Sequence, residues 1–227
     1  VTHSTLATAR EVRIPSGDAR LYGDLVLPPG FGGVVLFAHG SGSGRHSARN
    51  RQVARSLQQA GIATLLFDLL TVEEEQLDLS TRVHRFDIAL LTHRMHDATH
   101  WLAAQPELKD FPIGYFGAST GSAAALIAAA RLGDRIAAVV SRGGRPDLAG
   151  PAALDAVTAP TLLIVGGADH TVIELNQEAF QRLRCHKRLE VIPGATHLFE
   201  ERGALEQVGH AAASWFAKHM ATAEHET

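Results

Sequence analysis

The stretch FPIGYFGASTGSAAALIAAARL, Phe111 to Leu132, carries two kinds of secondary structure and a sharp turn between them. Its first third is a short apolar run suited to a buried strand. Its last half is a row of small helix-forming residues. Between them lies Gly117-Ala118-Ser119-Thr120-Gly121, a G-x-S-x-G pentapeptide. A strand that turns sharply into a helix needs small residues on both sides of the turn. Such a turn lifts the Ser119 hydroxyl clear of a sheet and sets it at a helix N-terminus. There the Thr120 amide lacks an acceptor within the helix and is free to face an oxyanion. The plainer alternative is a helix cap flanked by two glycines.

A serine hydroxyl is a weak nucleophile without a base. The elbow therefore predicts an acid and a histidine downstream, each after a later strand, in the order Ser, Asp, His. Asp169 follows the apolar run TLLIVGG, and His197 follows RLEVIP in the turn PGATHLF. Thirteen histidines make a stray one easy to find, so His197 is singled out by position and not by rarity. Activity is expected to fall in acid as His197 gains a proton.

Outward from this centre the same rhythm repeats. The runs GVVLFA, IATLLFD, IGYFGA, IAAVVS, TLLIVGG and RLEVIP alternate with amphipathic segments near 47–60, 82–105, 120–132, 172–184 and 201–219. Continuously apolar strands mean burial on both faces, hence a mostly parallel sheet between helices. Glu11–Pro15 and Leu21–Leu27 precede them with Gly17-Asp18 between, which predicts an antiparallel pair. The expectation is one α/β domain over residues 1–227, with about eight strands and sites at their carboxyl ends.

The loop HGSGSGRHSARN, His39 to Asn50, follows the first of those runs. As a phosphate cradle it fails its own pattern. G-x-G-x-x-G from Gly40 needs glycine at 45, which is Arg45, and from Gly42 needs it at 47, which is Ser47. As the second half of an oxyanion hole it fits, with the amide of Ser41 paired to that of Thr120.

The chain of 227 residues is 45% hydrophobic with a formal net charge of −3 and no long basic run. Nucleic acid and anionic membranes are poor partners for such a surface. No apolar run reaches the roughly 18 residues of a membrane span, and the first ten residues lack a leader pattern. Cys185 is the single cysteine, which fits a reducing, cytoplasmic setting.

Together these motifs resemble the α/β-hydrolase superfamily, in particular its small dienelactone-hydrolase-like branch. The likeness spans His-Gly after a strand, G-x-S-x-G, the GGAD turn and the GATH turn. It implies a cofactor-free, metal-free enzyme acting on a small ester through Ser119, Asp169 and His197. Dienelactone hydrolases carry cysteine where this chain has Ser119, which argues for a serine esterase. Lactones and thioesters stay open as substrates, as does a non-catalytic binding protein on the same fold.

About 17 residues, Arg142 to Thr158, separate the sixth strand from the seventh, too few for a cap domain. The segment DLLTVEEEQLDLSTR, 68–82, could fold over the site instead. Arg45, Arg142 and Arg145 fall on rim loops, where they could bind a substrate carboxylate or pair with Glu73, Glu74, Glu75 or Asp147. His93, His96 and His100 share one helix, but His93 and His100 lie roughly 10.5 Å apart along its axis. Three such residues cannot close around one metal ion.

Overall fold

A computed structural model describes residues 7–221. The reading of the first ten residues as lacking a leader falls largely on 1–6, outside the described residues. Eight strands form one sheet: β1 (Thr8–Ser16), β2 (Ala19–Leu27), β3 (Val34–Ala38), β4 (Ala63–Phe67), β5 (Ile113–Ala118), β6 (Ile136–Arg142), β7 (Thr161–Gly166) and β8 (Lys187–Ile192). Their order is β1-β2-β4-β3-β5-β6-β7-β8. The hairpin β1–β2 is antiparallel, as its turn predicts, and β2 joins β4 antiparallel. Every pairing from β4 to β8 is parallel.

The central strands feed two cores because alternate residues point to opposite faces. In β3, Val34, Leu36 and Ala38 enter one core while Val35 and Phe37 enter the other. Helices α3 (Ile88–Ala103), α4 (Thr120–Leu132) and α6 (His170–Arg182) cover the first face. Helices α1 (Ala48–Gln59) and α7 (Ala204–His219) cover the second. A six-residue helix, α5 (Pro151–Ala156), and a short 3-10 turn fill the connection from β6 to β7, and no cap domain is inserted there.

The predicted helix over 82–105 starts later, at Ile88, where Asp87 caps it through the Leu90 amide at 2.9 Å. The preceding segment holds a separate helix, α2 (Val72–Thr81). Thr71 and Glu74 close its capping box, with the Thr71 amide donating to Glu74 at 2.8 Å. Arg82, at φ 56°, ends it in the left-handed conformation. Segment 68–82 thus does lie beside the carboxyl ends of the strands. Leu69, Asp78 and Leu79 wall a pocket against His39 and Ser41.

Candidate active site

Ser119 sits between β5 and α4 at φ 50°, ψ −123°. Such a backbone costs a non-glycine residue about 1–3 kcal/mol, so the surroundings must hold it. Three hydrogen bonds do so. The Ser119 amide donates to Arg142 O at 3.2 Å, and the amides of Ser122 and Arg145 both donate to Ser119 O at 3.1 Å. The flanking glycines are required by space. A Cβ on Gly121 would lie 2.2 Å from Ala38 O, and one on Gly117 would lie 2.5 Å from Ser122 Cα.

The acid and the histidine come from neighbouring turns. Gly166 lets the turn after β7 press on the turn after β8, since a Cβ there would meet Ala195 O at 2.4 Å. The Ala168 amide donates to Ala195 O at 2.9 Å and fastens the two. Asp169 stands at the N-cap of α6 but makes no capping bond with its side chain. Instead it accepts from His197 Nδ1 at 2.7 Å. A carboxylate only accepts, so Nδ1 carries a proton, and it is Nε2 that bears the lone pair of the neutral ring. Asp169 is 16% exposed and His197 40%, so the pair faces the surface from one side. His197 and Ser119 line the same cleft of about 210 Å³, without a direct hydrogen bond between them among the described residues.

The glycine loop is arranged differently from the simple oxyanion expectation. The Ser41 amide is near Thr120, but it donates to the Thr120 hydroxyl at 3.0 Å. Ser41 Oγ completes this knot, 2.9 Å from Thr120 Oγ1 and donating to Arg85 O at 3.0 Å. The Thr120 amide opens α4 and has no acceptor within the helix. His39 anchors the loop from below: its Nε2 accepts from the Leu69 amide at 2.9 Å while Nδ1 faces Gly40 O at 2.9 Å. Burial pushes the His39 imidazole below the usual histidine range, against the raising effects of Gly40 O, Asp68 and Glu75. Three further loop amides turn inward, Ser43 to Gly40 O, Ser47 to Gly44 O and Arg45 to Asp68. None of these is left to cradle a phosphate.

The three rim arginines do not form one cluster. Arg45 binds Asp24 at 2.8 Å and Glu11 at 3.0 Å and lies 3.1 Å from Asp68, so it ties the loop to the strands beneath. Arg145 pairs with Asp147 at 2.7 Å, and it is its backbone, not its side chain, that supports Ser119. Arg142 alone reaches the cleft. Sequence reasoning missed Arg49 and Asn50, which also line it from the first turn of α1. The signal was available: Ser47 caps a helix that starts directly after the loop, so its first turn must face the strand ends. Phe199, at φ 55° and 2% exposed, was missed as well; it packs beneath the Arg142 guanidinium, 6.0 Å from it.

The His96 and His100 rings lie tilted at 46° with centres 4.3 Å apart, and His93 lies 3.2 Å from Asp97. Among the described residues, no three metal-binding side chains converge. No helix among them is long and apolar enough to cross a membrane. Cys185 lies against Thr161, far along the chain from the elbow, and burial raises its thiol.

Comparison with known proteins agrees with this architecture. The model of an alpha/beta hydrolase domain matches residues 32–224. The crystal structure of a dienelactone hydrolase from Anabaena variabilis is 56% identical, with a TM-score of 0.92 over 94% of this chain and 99% of that one. Est1E from Butyrivibrio proteoclasticus shares the fold at 18% identity and a TM-score of 0.78, covering 93% of this chain and 99% of that one. A Mycobacterium tuberculosis protein named "Putative phosphoribosyl transferase" is 56% identical over 210 residues, 92% of this chain and 46% of that protein. The chain thus spans about half the length of the curated relatives it matches. With its eight-stranded sheet, its elbow at Ser119 and a family match over most of its length, the chain belongs to the α/β-hydrolase family and has a dienelactone-hydrolase-like fold.

Proposed function

We propose that this chain is a serine hydrolase that cleaves small carboxylic esters through an acyl-enzyme. The observation that carries the reading is the strained Ser119 backbone beside a hydrogen-bonded Asp169–His197 pair in the same cleft. Strain of this kind persists where a function holds it. Ser119 Oγ attacks the ester carbonyl while His197 Nε2 takes its proton. His197 then gives that proton to the departing alcohol, leaving Ser119 acylated. Water, deprotonated by His197, attacks the acyl carbon, and Ser119 Oγ recovers the proton as the acid leaves. Asp169 keeps the imidazole proton on Nδ1 and stabilises the imidazolium formed in each half. An apo site commonly shows a long serine–histidine contact that tightens on substrate.

The Thr120 amide supplies one oxyanion donor directly. The Ser41 amide supplies the second once the Thr120 hydroxyl turns about χ1 and releases it. A relative named a dienelactone hydrolase supports ester or lactone hydrolysis over other chemistry on this fold. The phosphoribosyl transferase name belongs to a protein of which more than half lies outside the match, and the glycine loop, with Arg45 and Ser47 where a dinucleotide cradle needs glycine, gives it no support here.

The test is peptide mass spectrometry after treatment with a fluorophosphonate. The expected adduct falls on Ser119 and disappears in His197→Ala. Folded protein without an adduct would favour a non-catalytic binding protein on the same fold.

A further inference from the structure

The cleft beside Ser119 contains a charge that no group among the described residues neutralises. Arg142 is 8% exposed, yet its Nε and Nη1 have no hydrogen-bond partner among the described residues. It makes no ion pair among them. Its one close companion of note is the Phe199 ring, 6.0 Å away. A neighbouring guanidinium, Arg49, adds repulsion. Arg49 also has a buried Nε without a partner, and its Nη1 is 3.5 Å from Glu200 at the rim. Burial, aggravated by Arg49, depresses the Arg142 guanidinium to about 10.

A buried, unpaired charge is among the least favourable groups a fold can contain. An apolar side chain of the same length would fill the space without that penalty. The position is therefore explained by something absent from the free protein that brings a negative charge. Its place narrows what that is. Arg142 ends β6, and its carbonyl accepts from the Ser119 amide at 3.2 Å. Arg142, Arg49, Ser119 and His197 line the same small cleft.

We infer that Arg142, assisted by Arg49, is an oxyanion-binding subsite, and that the ester taken by Ser119 carries a second, anionic oxygen group a few bonds from the carbonyl under attack. Nη1 and Nη2 form the end-on fork of the Arg142 guanidinium, and such a fork donates paired hydrogen bonds to a carboxylate or a phosphate. The Phe199 face and the cleft wall exclude water from the pair. The kinetic part of this inference rests on the hydrolase reading of Ser119; the binding part does not.

The experiment has an arm for each. Ser119→Ala protein is followed by thermal shift and calorimetry with monomethyl succinate, inorganic phosphate and neutral methyl butyrate. One or both anions are expected to bind and raise the melting temperature, the neutral ester to do neither, and the effect to vanish in Ser119→Ala/Arg142→Met. The stronger anion identifies the group as carboxylate or phosphate. Absence of any anion effect overturns the subsite. The intact enzyme is then given 4-nitrophenyl hemisuccinate and 4-nitrophenyl butyrate. The ratio of their kcat/KM values should favour the anion by about tenfold or more. It should fall to about one in Arg142→Met and partway in Arg49→Gln. A ratio near one in the wild type, or one retained in Arg142→Met, also overturns the subsite. Anion binding with no turnover of either ester sinks the hydrolase reading and leaves the subsite standing. Arg142→Met should itself melt higher than the wild type. If Arg142→Met melts lower or does not fold, the ratio is read from Arg49→Gln on the more exposed side, and an anion preference unchanged there from the wild type overturns the inference.

Discussion

Asp169 Oδ2 and His197 Nδ1 lie 2.7 Å apart, although the two residues are 28 positions apart in sequence. The contact fixes which nitrogen of His197 carries the proton. An amide in place of the carboxylate can donate to Nδ1 and so favour the other tautomer. Asp169→Asn should therefore keep the fold and lower kcat on 4-nitrophenyl esters by about a thousandfold to ten-thousandfold. Steady-state kinetics with a matched melting curve checks this, and a loss of less than tenfold would mean that His197 does not act as the base.

The elbow makes opposite predictions for two neighbouring positions. Ser119 occupies φ 50°, a conformation glycine adopts freely. Ser119→Gly should abolish activity and stabilise the protein by about 1 kcal/mol. For a chain of this size that raises the melting temperature by about 2–4 °C. Gly121→Ala places a methyl 2.2 Å from Ala38 O, a backbone atom that cannot rotate away. It should destabilise by about 2–3 kcal/mol or more. Calorimetry on both variants separates strain held for function from space required for folding.

The sequence made the parallel sheet, the elbow and the order of Ser119, Asp169 and His197 legible because each leaves a local mark. Apolar runs show strands, and paired glycines show close approach. What stayed hidden depends on contacts between distant segments. The pattern offers the Ser41 amide to an oxyanion, but the hydroxyl it bonds in the free protein lies 79 positions away and leaves no mark beside it. The three rim arginines look alike as letters. Only the fold shows that Arg45 meets Asp24 and Glu11 from the hairpin, that Arg145 meets Asp147, and that Arg142 meets no carboxylate among the described residues. Helix α2 lay between these cases. Its capping box, Thr71 to Glu74, is a local signal, but Leu77 and Leu79 on its exposed surface blur the helical period.

The knot between Ser41 and Thr120 tests how the oxyanion hole opens. Thr120→Val keeps the side-chain shape and removes the acceptor that occupies the Ser41 amide. If that amide is the working donor, kcat should stay within about threefold of the wild type, since loss of a true oxyanion donor costs about a hundredfold or more. The free protein should lose about 1 kcal/mol of stability from the unpaired amide. That loss should shrink once a fluorophosphonate adduct on Ser119 gives the amide a new acceptor. A fall in kcat of two orders of magnitude would assign the donor role to the Thr120 hydroxyl instead.

His39 links the loop's anchoring to pH. It is 7% exposed, and its Nε2 must stay unprotonated to accept from the Leu69 amide. Burial lowers its pKa below the ordinary value of 6.5. Between 6.5 and that lower value the unfolded chain binds a proton that the folded chain refuses. The unfolded state then holds more protons, so stability rises with pH across the window and is lost as the solution is acidified below about 6.5. One such group changes stability by at most about 1.4 kcal/mol per pH unit. His39→Gln places an uncharged acceptor near the position of Nε2 and cannot titrate. Between pH 7 and 5 the wild type should therefore lose up to about 2 kcal/mol more stability than His39→Gln. His96 and His219 have lowered values too, but they are present in both proteins and cancel in the difference. Urea unfolding at several pH values measures it, and parallel curves for the two proteins would mean that His39 takes up its proton without disturbing the loop.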